Sequence, residues 1–351
     1  MNAPDHSPVR LTQFAHGGGC GCKIAPAVLQ DFLAGVPASI APPDLLVGTE
    51  HSDDAAVYRL NERQAIVATT DFFTPIVDDP HDFGAIAATN ALSDIYAMGA
   101  TPLFALALVG MPVDKLPGGA IRAVLAGGNA VCRRAGIPIA GGHTIDSAEP
   151  IYGLAAIGVV DPAQIKRNGG AQPGDLLILG KPLGIGLYSA AIKRDRLPED
   201  GYRDMIACTT QLNTPGIALG ALPGVHALTD VTGFGLLGHL LEICRASSIE
   251  ARVSFAKLPK LAHAASFARD GCVTGASGRN WASYGAGVTL DAALGRPERD
   301  LLTDPQTSGG LLVACAAQAR DAVLEVFARE GFDDAAVIGD FVAGAPRVIV
   351  G

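Results

Sequence analysis

Strand-like apolar runs alternate with helix-like stretches twice along the chain, on either side of a segment at 161–174 rich in Pro and Gly. That alternation predicts an α/β protein built in two halves. In the first half, 55–60 and 64–70 read as strands that end in acidic loops, and 82–98 as a helix of small residues. A buried strand at 103–109, a helix at 121–134 and strands at 137–140 and 152–160 complete it. The second half opens with a strand at 175–180 and a helix at 185–193. Helices at 203–212, 236–246 and 318–329 then alternate with strands at 225–228, 310–314, 335–338 and 347–350. Two mixed sheets are expected rather than one doubly wound sheet. The division is a flexible Gly-rich segment over 1–50 with one helix-like stretch at 24–33, a domain over 51–165, and a C-terminal α/β domain over 166–351.

Length and charge narrow the function. The 351 residues suffice for about two domains, and no apolar run reaches the ~18 residues of a membrane span. The first residues include Asp5, His6 and Arg10 and lack the apolar core of a secretory signal. Seven cysteines, an odd number without framework spacing, point to a reducing cytoplasm. Cys132, Cys208, Cys244, Cys272 and Cys315 lie in apolar contexts and read as core residues. A net charge of −9 argues against a nucleic-acid partner, and an anionic substrate would need dedicated cations.

Gly17-Gly18-Gly19-Cys20-Gly21-Cys22-Lys23 is the most unusual stretch. Glycines lose extra conformational entropy on ordering, so four of them around two thiols suggest a backbone that closes on something. A thiol reacts as thiolate, and the ammonium of Lys23 is expected to lower the Cys20 pKa. A loose tail with idle thiols is the alternative. The Cys-x-Cys spacing, with no second pair, argues against a structural zinc site.

Carboxylates form the second signal. Asp54 precedes a strand, Asp71 ends one, Asp230 follows a third, and Asp304 lies in Thr303-Asp304-Pro305-Gln306-Thr307-Ser308-Gly309-Gly310. Asn90 and Asp94 are four residues apart on one face of an otherwise apolar helix, which is costly unless they are paired or metal-bound. Unit charges ~4 Å apart repel by about 4 kcal/mol at an effective dielectric of 20. A hard cation such as Mg²⁺ turns that repulsion into a site shared with substrate phosphates. Asp54, Asp94 and Asp230 are the first choices as ligands, with Asp71 close behind.

Gly233-Phe234-Gly235-Leu236-Leu237-Gly238 matches a dinucleotide-binding pattern, but no acidic residue for a ribose ends the strand that follows. No Walker A sequence is present. Gly141-Gly142-His143-Thr144 reads as a turn whose amides can approach a phosphate, or as a tight turn with an exposed His. His16 and His239 read as structural.

Taken together these segments resemble the selenophosphate synthetase (selenide, water dikinase) family. The resemblance runs from Arg10-Leu11-Thr12-Gln13-Phe14 through the Gly-Cys-Gly-Cys-Lys stretch and Asp53-Asp54-Ala55-Ala56-Val57-Tyr58 to Thr69-Thr70-Asp71-Phe72-Phe73. It continues through Ala88-Thr89-Asn90-Ala91-Leu92-Ser93-Asp94, the Gly-Gly-His segment, Asp230-Val231-Thr232-Gly233-Phe234-Gly235 and Asp304-Pro305-Gln306-Thr307-Ser308-Gly309-Gly310. It implies the two-domain aminoimidazole-ribonucleotide-synthetase-like fold, in a homodimer whose N-terminal, ATP- and Mg²⁺-binding domains pair. The implied reaction is ATP + selenide + water → selenophosphate + AMP + phosphate, with Mg²⁺, with K⁺ as activator and with a possible selenium-delivery protein. By motif position Cys20 and Lys23 are the catalytic pair, and Asp54, Asp94 and Asp230 the metal ligands. Lys23, His51, Ser52, Asp53, Asp71, Asn90, Asp94, Gly142, His143 and Thr144 are the implied nucleotide contacts. The alternatives are another ATP-dependent synthetase of the superfamily, or a nucleotide-binding thiol protein without phosphoryl transfer.

Overall fold

The computed structural model describes residues 9–24, 26–34, 36, 40–49 and 52–351. After a first helix, α1 (Pro26–Leu33), six strands form one sheet: β1 (Leu45–Val47), β2 (Ala56–Asn61), β3 (Gln64–Phe73), β4 (Thr101–Met111), β5 (Ile139–Asp146) and β6 (Ile151–Val160). Their order is β1-β2-β3-β6-β4-β5, antiparallel except for the β4–β5 pair. The helices α2 (Pro80–Ala97) and α3 (Gly118–Arg134) pack together beside this sheet.

Local chemistry starts α2 where it does. Asp79 accepts from the amide of Asp82 at 2.9 Å, and Pro80 takes the first helical position. Two glycines let α2 and α3 approach closely. A Cβ on Gly84 would lie 1.9 Å from the Val124 carbonyl oxygen, and one on Gly127 would lie 2.0 Å from that of His81. On its other sides α2 meets the second half at Glu199–Thr210, Pro215–Ala221 and Val225–Asp230. A helix enclosed in this way is apolar nearly all round, and its few polar residues, Asn90 and Ser93 among them, are buried.

The second sheet joins β7 (Leu176–Leu179), β8 (Val225–Asp230), β9 (Glu250–Val253), β10 (Val288–Leu290), β11 (Leu311–Cys315), β12 (Ala336–Val342) and β13 (Arg347–Val350). Its order is β10-β13-β9-β12-β7-β11-β8, with β13 parallel to both of its neighbours. The helices of this half are α4 (Ile185–Ile192), α5 (Glu199–Thr210), α6 (Pro215–Ala221), α7 (Gly235–Ser247), α8 (Ala264–Arg269), α9 (Gly275–Tyr284), α10 (Arg296–Leu302) and α11 (Arg320–Arg329). Two mixed sheets are thus present, as the alternation predicts.

One expectation needs correction, and the structure adds detail that the pattern lacks. The strand expected at 137–140 is β5, which runs on through Asp146, so Gly141-Gly142-His143-Thr144 is not a turn. Gly142 pairs with Ala107 at φ +154°, and a Cβ there would fall 2.1 Å from the Ala107 oxygen, so glycine lets this edge strand pair. The segment 161–174 between the halves is clamped to both: Lys166 donates to the carbonyls of Leu222 and Val225, and the Asn168 amide donates to Asp53 at 2.7 Å. The short elements β1, β10, α6, α8, α9 and α10 were not anticipated, because each is too brief to build a periodic signal.

No helix among the described residues is long and apolar enough to cross a membrane. The five cysteines read as core residues are all buried.

Candidate active site

The fold brings three carboxylates together from distant parts of the chain. Asp54 precedes β2, Asp94 lies in the last turn of α2, and Asp230 ends β8. An oxygen from each lies within 4.8 Å of those of the other two. Hydroxyls brace each one: Thr229 donates to Asp54 at 2.9 Å, Thr69 to Asp94 at 2.5 Å, and Ser93 to Asp230. Asn213 holds the Ser93 hydroxyl at 2.7 Å. Burial pushes all three carboxyls up, and for Asp54 and Asp94 the charge of Asp230 adds to it. The second oxygen of Asp54 is buried without a hydrogen-bond partner among the described residues. An orphaned carboxylate oxygen among three hard donors fits a hard divalent cation such as Mg²⁺.

The glycine-cysteine stretch is docked against this cluster as a 3₁₀ turn, Gly19–Cys22. Gly19 has φ +54°, and a Cβ there would lie 2.2 Å from the Thr307 hydroxyl oxygen, so only glycine fits. The Cys20 amide donates to that hydroxyl at 3.0 Å, and the Cys20 thiol donates to Asn90 Oδ1 at 3.2 Å. The same oxygen accepts from the Ser308 amide at 2.7 Å. Asn90 Nδ2 donates to Asp71 Oδ2 at 2.8 Å, and Lys23 Nζ reaches that oxygen at 2.9 Å. One buried carboxamide therefore joins the thiol to the Asp71–Lys23 ion pair.

The expected activation of Cys20 by Lys23 is not found in this conformation. Cys20 is 1% exposed. Burial pushes its thiol up, Asp71 pushes it further, and the opposing effect of Lys23 is smaller than either. Lys23 itself is 38% exposed. Burial acts to lower its pKa, but Asp71, Cys20 and Asp94 outweigh that and hold the ammonium charged.

The remaining predicted residues are dispersed. Asp53 accepts from the Asn168 amide, and the carbonyl of Ser52 accepts from the Asn168 side chain at 2.8 Å, so both tie the segment 161–174 to the first half. His51 lies outside the described residues. Gly142, His143 and Thr144 sit on β5, three strands away from β3, about 14 Å at the usual strand spacing. The glycine pattern at 233–238 serves packing: a Cβ on Gly233 would stand 2.7 Å from the Cys20 carbonyl oxygen. His239 is buried between Thr232 and Glu242, and His16 pairs with Glu149, as structural residues do.

Sequence reasoning missed the support around this site. Asp304 and Gln306 accept from the first amides of α4, which sets the loop that carries Thr307 and Ser308. Lys181, buried, donates to the carbonyls of Gln211 and Ser308. Nothing in the sequence near Ser93, Thr69, Thr229 or Lys181 marks these roles.

Comparison with known proteins agrees with this geometry. Residues 52–160 match the family described as AIR synthase related protein, N-terminal domain, and residues 172–351 the corresponding C-terminal domain. The chain is 65% identical to a selenide, water dikinase of Burkholderia pseudomallei over 99% of its length and 98% of the relative's. It is 64% identical to one of Dechloromonas aromatica over 97% and 98%. In fold it is similar to the crystal structure of a thiamine-monophosphate kinase from Stenotrophomonas maltophilia, with a TM-score of 0.63 at 23% identity, covering 94% of this chain and 96% of that one. At about two thirds identity to these relatives over nearly its whole length, and with both domain models matched, the chain belongs to the selenide, water dikinase family.

Proposed function

We propose that this protein makes selenophosphate from ATP, selenide and water, releasing AMP and phosphate. The observation that carries the reading is that Cys20 and Lys23, joined through Asn90 and Asp71, lie close enough to the cluster of Asp54, Asp94 and Asp230 for Lys23 and Asp71 to act on Asp94 by charge. Those three carboxylates would hold Mg²⁺, which supplies charge neutralisation at the polyphosphate oxygens.

The chain's own groups do the rest. The Lys23 ammonium is exposed enough to exchange Asp71 for a γ-phosphate oxygen and so stabilise charge as it develops. Asp71 then returns to Asn90 alone, which keeps the carboxamide aimed at the Cys20 sulfur. Cys20 marks where selenium enters, and the closed turn keeps water out until the second anhydride is to be cleaved. The nucleotide contacts of His51, Ser52 and Asp53 belong to the same proposal.

Gly142, His143 and Thr144 take part through a homodimer. By strand register His143 shares one face of the first sheet with Tyr58, Phe72 and Leu106. Those three apolar residues are 43%, 50% and 37% exposed, more apolar surface in one place than a monomer usually leaves open. A second copy on that face would receive His143 near its own nucleotide, with Gly142 and Thr144 reached along the edge of β5. The reading includes the division at 51–165 and 166–351, activation by K⁺, a cytoplasmic setting and, optionally, a selenium-delivery protein.

Phosphorus NMR of ATP with Mg²⁺ and selenide tests the reaction. Selenophosphate with AMP is the expected outcome, whereas ADP as the nucleotide product, or unchanged ATP, overturns it.

A further inference from the structure

A cavity of about 300 Å³ lies behind the glycine-cysteine turn. Gly17, Gly18 and Gly21 form one wall of it, while Cys20, on the same turn, points away toward Asn90. None of Asp54, Asp71, Asp94 and Asp230 lines it, so the turn separates this space from the carboxylate cluster.

Its charge is opposite to that of the whole protein. Among the described residues Lys193, Arg194 and Arg279 border it, and no Asp or Glu does. Lys193 donates to the Gly17 carbonyl at 2.9 Å, Arg279 to that of Gly21 at 2.9 Å, and Arg194 to that of Gly271 at 2.7 Å. Among the described residues none of the three forms an ion pair with a carboxylate. Each carbonyl bond uses one donor of an ammonium that has three or a guanidinium that has five. Donors for a guest therefore remain. In a chain with 35 acidic and 26 basic residues, three unpaired cations around one cavity favour an anion. A second cavity shares Arg194 with the first and adds Arg269, Arg296 and Arg299, where Asp300 offsets part of the charge. The two make a basic approach from solvent to the turn.

We propose that the cavity bordered by Lys193, Arg194 and Arg279 receives the anionic selenium substrate, hydroselenide, before it meets the phosphoryl donor. This rests on the reading of the protein as a selenophosphate synthetase. A small chalcogenide anion matches the site because the wall it meets is the turn that carries both thiols. Lys193 and Arg279 also hold that turn at its two ends, so an anion that draws them off the Gly17 and Gly21 carbonyls loosens the turn as it binds.

The test uses Lys193→Gln with Arg279→Gln, which removes both charges and keeps a side-chain amide able to hold each carbonyl. The KM for selenide is expected to rise about tenfold, with the KM for ATP and kcat at saturating selenide within about twofold of wild type. An unchanged selenide KM, or an equal rise for ATP, overturns the proposal. Anaerobic calorimetry with sodium hydrosulfide and no nucleotide gives a readout independent of turnover. Wild-type binding that the double variant loses supports the site, even if the wild type made no selenophosphate. Absence of wild-type binding, or equal binding by both proteins, overturns the site, even if selenophosphate is made.

Discussion

Asn90 is the residue whose replacement tests the site's wiring most sharply. Its carboxamide is fully buried and uses its two ends differently. Oδ1 accepts from Cys20 and Ser308, and Nδ2 donates to Asp71 at 2.8 Å. Asn90→Asp keeps the shape and the acceptor but puts a second carboxylate oxygen where the donor was. Two unit charges 2.8 Å apart repel by about 6 kcal/mol at an effective dielectric of 20, and Lys23 offsets part of this. The new pair avoids the remainder by holding a proton, so one carboxyl titrates higher in the folded protein than in the unfolded chain. For an acid whose folded-state pKa is raised, the cost is absent below the unfolded value and grows as pH rises toward the folded one. A rise of about three units, from about 4 to about 7, costs about 1.4 kcal/mol at pH 5 and about 4 kcal/mol at pH 8. Urea unfolding of variant and wild type at both pH values, without divalent cation, measures this difference. Asn90→Ala, which loses the hydrogen bonds and adds no charge, should lose similar stability at both. If Asn90→Asp also loses the same amount at pH 5 and pH 8, Asn90 does not face Asp71 as described.

Two further outcomes follow from the same electrostatics. Burial raises Asp54, Asp94 and Asp230 in the folded state, and the charge of Asp230 adds to the rise of the first two, so their cost vanishes at low pH and grows through neutrality. Without divalent cation Asp54→Asn should therefore stabilise the protein by roughly 1 kcal/mol at pH 8, less at pH 5, and should lose most of the rise in Tm that MgCl₂ gives wild type. A full Mg²⁺-dependent rise in the variant would remove Asp54 from the ligand set. Cys20 is buried with a raised thiol pKa while Cys22 is half-buried, so iodoacetamide should label Cys22 at least about tenfold faster; peptide mass spectrometry that finds Cys20 labelled first would refute the closed turn.

Much of the site was legible because its chemistry is local to short motifs. Asp94 stood out because a carboxylate on so apolar a helix demands a partner; the structure gives it the Thr69 hydroxyl and sets Asp54 and Asp230 beside it. The glycines at 17–21 signalled a backbone with unusual freedom, and one of them, Gly19, takes a φ of +54° against Thr307. Other features failed for stated reasons. Gly141-Gly142 looked like a turn, yet glycine there removes a clash with β4 and lets an edge strand pair. Lys23 looked like an activator of Cys20, yet its charge is spent mainly on Asp71, and burial of the thiol outweighs it.

The amino-acid sequence determined the two-part α/β alternation, the inventory of carboxylates and the thiol turn, because periodicity and composition act over a few residues. The tertiary structure decided which of these meet. Asp54 and Asp230 are 176 positions apart in numbering, and only the packing of α2 between the two sheets sets them on either side of Asp94. The same packing buries Cys20, holds its turn between Asn90 and Thr307, and gathers Lys193 and Arg279 behind it. Such contacts depend on residues far apart along the chain, and no local pattern encodes them.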